Sequence, residues 1–107
     1  MITERYLEDD WRLFKRKIPG WQLSHMEKLC RSYEELLHGA GTWDEKFWTL
    51  SERIQRDQKS AGVSVDMRRS QLVANILGLI DDGVISMEDL EDFSDTLKAT
   101  VRSLRSL

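Results

Sequence analysis

The strongest constraint on the fold is an apolar stripe that keeps its phase across a proline. Leu7, Trp11, Phe14, Ile18, Trp21, His25, Leu29 and Leu36 follow one another at intervals of 4, 3, 4, 3, 4, 4 and 7. On a helix turning 100° per residue they fall within about 80° of arc, which is a single amphipathic face. Pro19 and Gly20 stand in the middle of it. A proline inside a helix costs ~3 kcal/mol and can end it there, giving two helices. A hairpin would not need the stripe to hold its phase, so the sequence favours one helix from about residue 3 to 38, capped by Thr3 and kinked at Pro19.

Downstream, His38-Gly-Ala-Gly41 is a stop, with Gly39 available for a left-handed cap. Thr42-Trp-Asp-Glu45 has the form of a capping box and starts a second helix, which fades near Lys59. Its apolar positions Trp43, Phe47, Leu50 and Ile54 predict an inward face. A third helix is expected from about 65 to 82, with an apolar arc of about 160° that implies burial on several sides.

Gly83 ends that helix in the manner of a Schellman cap. Ser86 and Asp89 then form a capping box, with Ile85 and Leu90 as a staple. The last helix should run on from Ser86, burying Met87, Leu90, Phe93, Leu97, Val101 and Leu104. The pattern Leu77-x-x-Ile80-x-x-Gly83-x-Ile85-x-x-Glu88-x-Leu90 resembles the SHOCT-type helical hairpins at the C-termini of many bacterial proteins. That resemblance, confined to the hairpin, implies self-association or docking on a partner. The expected fold is all-α: one domain over residues 1–107, a bundle of four helices, or five if Pro19 breaks the first, with a C-terminal hairpin turning at Gly83.

The balance of 16 basic and 19 acidic side chains leaves the chain at −3. Residues 1–62 carry 11 of each sign and residues 63–107 carry 5 basic and 8 acidic, so neither part has the basic excess of a nucleic-acid binder. The lone Cys30 rules out an internal disulfide and no leader-like segment opens the chain, which points to the cytoplasm. The longest apolar stretch, Leu72 to Ile80, is too short to cross a bilayer.

The candidate chemical motifs fall short of a site. Asp82-Gly83-Val84-Ile85-Ser86 resembles the second half of a calcium loop, but with Gly83 at the sixth position two ligand positions are held by Gly78 and Ile80. Glu35-x-x-His38 has the spacing of a helical di-iron motif, yet such a site needs a second copy and Gln22 stands where His25 would require an acid. His25, in the apolar stripe, reads as a core histidine, and Cys30 as structural. No catalytic residue, cofactor or metal is expected.

Surfaces remain. Trp48 lies about 130° from the centre of the second helix's stripe, and Tyr6 and Leu13 form a minor second stripe on the first helix; the three are the candidate protein interface. Arg68 and Arg69, which open the third helix with Arg69 on the buried side of its wheel, are with Arg53, Arg56 and Lys59 the candidate contacts of a DNA- or RNA-binding regulator. The leading expectation is a non-catalytic protein-interaction module, a small adaptor, regulator or inhibitor, whose partner is another protein or a second copy in a homodimer. A first helix of such length would also outrun its neighbours, leaving apolar surface for another chain to cover.

Overall fold

The structure, a computed structural model, describes the backbone of residues 2–107 and the side chains from residue 8 onward. It is all-α. Helix α1 (Ile2–His38) runs unbroken through Pro19. Lys15, Arg16, Pro19 and Gly20 are all exposed, so the Lys15 carbonyl that the proline leaves without a donor lies on the solvent side, open to water. Helix α2 (Trp43–Asp57) folds back along the distal half of α1, and α3 (Leu72–Asp81) and α4 (Asp95–Arg105) pack against the proximal half.

At 1.5 Å per residue α1 is about 55 Å long, whereas α3 and α4 reach only about 16 Å. The molecule therefore measures 60 × 26 × 20 Å, with a radius of gyration of 16.9 Å, against about 13 Å for a compact chain of this size. It has two parts. The body gathers Trp11, Phe14 and Ile18 of α1 with Leu72, Ile76 and Leu79 of α3, Ile85, Leu90 and Phe93 of the following turn, and Leu97 and Val101 of α4. The arm is the α1–α2 hairpin beyond Trp21. Among the described residues, every fully buried hydrophobic side chain belongs to the body.

The turn at Gly83 forms as the sequence predicts. Gly83 takes φ 73°, its amide donates to the Ile80 carbonyl at 3.0 Å, and the Val84 amide donates to the Leu79 carbonyl at 2.8 Å, which is the paired bonding of a Schellman cap. The Ser86 amide donates to the Asp89 carboxylate at 2.8 Å, and Ile85 and Leu90 are both buried.

Four local expectations are corrected. The segment after Ser86 is a 3₁₀ turn over Met87–Leu90, and α4 begins only at Asp95. The third helix starts at Leu72 after a 3₁₀ turn over Arg69–Gln71, not near 65. The left-handed glycine at the end of α1 is Gly41, with φ 121°, not Gly39. Arg69 is exposed, because it sits on the 3₁₀ turn and not on the inner side of a helix.

The late start of α4 has a long-range cause. Asp10 of α1 is 3% exposed, and its carboxylate accepts from the Ser94 amide at 2.9 Å and the Ser94 hydroxyl at 2.6 Å. The Ser94 Oγ in turn accepts from the Leu97 amide at 3.1 Å. Ser94 is thus the N-cap of α4 and is itself held by α1.

Candidate protein-interaction surface

The arm's geometry begins with the rotation of α2 about its own axis. Thr42 opens the helix as expected, its amide donating to the Glu45 carboxylate at 3.3 Å. The row turned toward α1, however, runs Lys46, Leu50, Arg53 and Asp57, which includes only one hydrophobic residue. The expected inward face has moved one row aside: Trp43 is 76% exposed and Phe47 62%, Leu50 is half-buried, and Ile54 is exposed at 36%.

One polar contact ties α2 to α1 in that rotation, and a second forms within α2 around a buried lysine stem. The Tyr33 hydroxyl of α1 donates to Asp57 Oδ2 at 2.5 Å, and Lys46 buries its stem while its ammonium rests 4.4 Å from the Trp43 ring centroid. Desolvation first, then the hydrogen bond and charge of Asp57, push the Tyr33 phenol up from 10.0 to about 12. A raised folded pKa means that the neutral phenol's contribution to stability is complete below the unfolded value near 10 and is lost as pH climbs toward about 12. In a Tyr6→Phe background, ultraviolet titration should show the remaining phenol ionising near pH 12, and Asp57→Asn should bring it back toward 10.

Trp48 is 64% exposed and stands edge-on to Phe47, with centroids 5.0 Å apart at 90°. Toward the other end of α2 an open groove of about 340 Å³ separates α1 from α2, walled by Met26, Leu29, Cys30, Tyr33, Ile54 and Val63 among others. A second groove shares Met26 and Cys30 with it and extends to Leu23, which is 71% exposed. One flank of the arm is therefore apolar from both helices.

The other candidate residues are dispersed. The Tyr6 side chain lies outside the described residues, and Leu13 is half-buried against the body's core. Arg68 pairs with Asp66, Arg69 with Glu8 of α1 at 2.9 Å, and Arg56 with Asp57 at 3.4 Å. Arg53 is half-buried on α2 and Lys59 exposed in the turn after it, so three of the five candidate nucleic-acid contacts already face an acid. His25 is half-buried, with its ring against Gly62: a Cβ on that glycine would lie 2.2 Å from the imidazole Cδ2. Among the described residues, no three His, Cys, Asp or Glu side chains come close enough to hold a metal, and no helix is long and apolar enough to cross a membrane.

No protein-family model, no curated protein and no solved structure matches this chain. The exposed aromatic flank was the feature least visible to periodicity, which sends Trp43 and Phe47 inward. The available signal was Lys46, Arg53 and Asp57, whose common row competes with the apolar one.

Proposed function

We propose that the chain is a non-catalytic protein-interaction module, an adaptor, regulator or inhibitor working in a reducing compartment such as the cytoplasm, and that it binds through the aromatic flank of α2. One observation carries the reading. Trp43, Phe47 and Trp48 lie together on a 15-residue helix, each between 62% and 76% exposed. Large exposed aromatics are among the side chains that dominate binding energy at protein interfaces.

A photoreactive phenylalanine in place of Trp48, with a control at the exposed Ala99 of α4, tests this in the native cell. The expected result is one dominant protein adduct from position 48 that disappears with Phe47→Ala and is not formed from position 99. Equal labelling from both positions, insensitive to Phe47, would overturn the reading.

A further inference from the structure

The arm is half of a bundle. Its two helices bury no hydrophobic side chain fully among themselves, although a helical layer gains stability only by covering its apolar stripe with a second layer. In the body α3 and α4 supply that second layer. Among the described residues the arm has no such layer over the flank formed by Leu23, Met26 and Cys30 of α1 and Trp43, Phe47 and Ile54 of α2: open grooves run beside the α1 residues and Ile54, and Trp43 and Phe47 stand exposed.

We infer that this flank is covered by a second copy of the same chain, arm against arm about a two-fold axis, so that two hairpins complete one four-helix bundle. The inference rests on reading the arm as a binding surface and names its occupant. Area supports it. The exposed parts of Leu23, Leu37, Trp43, Phe47 and Ile54 amount to roughly 550 Å², at the upper end of the ~300–600 Å² of the largest and often functional patch on a typical monomer, and a polar rim would bring it toward the ~800 Å² that each partner gives to a standard interface. The same surface serves both subunits, as a two-fold contact requires.

Charge sets the direction of pairing. The tip of the arm carries Glu34, Glu35, Asp44 and Glu45, all exposed, while the last turns of α2 and the turn after it carry Arg53, Arg56 and Lys59 against Glu52 and Asp57, a small basic excess. An antiparallel arrangement lays each acidic tip beside the partner's basic end; a parallel one would set four acids against four. Two-fold pairing that sets Trp43 against the partner copy's Ile54 also sets Phe47 against its Leu50, since both pairs share one midpoint in α2.

Sedimentation velocity of the full chain under reducing conditions should show a dimer at micromolar concentration. Trp43→Ala and Phe47→Ala should each weaken it about 30-fold or more with helix content unchanged. With spin labels on Ala40→Cys in a Cys30→Ser background, the two tips of an antiparallel dimer should be on the order of 25 Å apart or more, the length of the arm. A strict monomer at millimolar concentration, a dimer indifferent to both substitutions, or tips in contact would each overturn the inference. A monomer whose position 48 still cross-links to a different polypeptide through Phe47 would leave the interaction module standing and remove only the second copy.

Discussion

Phe14→Ala should cost about 3–5 kcal/mol, the largest loss of any single truncation in the chain. Phe14 is wholly buried, stacked on Trp11 at 6.0 Å and edge-on to Trp21 at 6.2 Å. Trp21 in turn stacks on Phe93 at 6.2 Å. The ring is therefore the second member of an aromatic chain that joins α1 to the turn before α4. Two further conditions make the loss large. The rigid tryptophans on either side limit how far the site can collapse, and residual cavity volume adds to the lost transfer energy. With total stability of about 5–15 kcal/mol, a loss of that size removes a fifth of it or more. Thermal unfolding followed by circular dichroism should show the midpoint falling by roughly 4–8 °C for each kcal/mol lost. A fall of only a few degrees would mean that the body's core is centred elsewhere.

Asp10→Ala should rank second, at about 2–3 kcal/mol. The substitution removes an ionised acceptor from two donors at once, the Ser94 amide and hydroxyl, and bonds to a charged group contribute about 1.5–3 kcal/mol. Burying the carboxylate costs desolvation, which offsets part of that sum, so the two bonds do not simply add. What tips the balance is the amide left without a partner at the start of α4, together with a loosened cap on Leu97. Ser94→Ala should lose less, because the amide still reaches Asp10. In a double-mutant cycle the two should couple by at least about 1 kcal/mol. Urea unfolding of the four proteins measures that coupling, and strictly additive losses would show that Asp10 and Ser94 act independently.

These two residues also mark what a reader of the sequence can and cannot see. Phe14 belongs to a stripe whose phase holds through Pro19, and a continuous α1 follows from that phase because the proline faces water. The Gly83 turn is equally legible: every bond it needs is made by residues within a few positions of each other. The start of α4 is not local. The spacing of Leu90, Phe93 and Leu97 continues smoothly past Ser94, so periodicity sees no interruption, and the partner that imposes one is Asp10, 84 residues away.

The rotation of α2 is hidden from the sequence for a related reason. Apolar periodicity assumes that the strongest stripe meets the chain's own core, and α2 has no such core to meet. It docks by Tyr33 with Asp57 and by the stem of Lys46, leaving Trp43 and Phe47 outward. Trp48 stands off the apolar stripe of α2, yet the stripe itself, with Trp43 and Phe47 exposed, is the more informative surface. The fold and the body's core were readable; the candidate site was visible only as one residue of a cluster.

Amide hydrogen exchange across a concentration series tests most directly whether the arm is an incomplete bundle. Protection of α2 and the distal half of α1 should rise as concentration passes from nanomolar to high micromolar, while α3 and α4 stay constant, because only the arm depends on a second copy for its buried layer. Protection of α2 that equals that of α3 and does not change with concentration would contradict the account, since the hairpin would then be stable by itself.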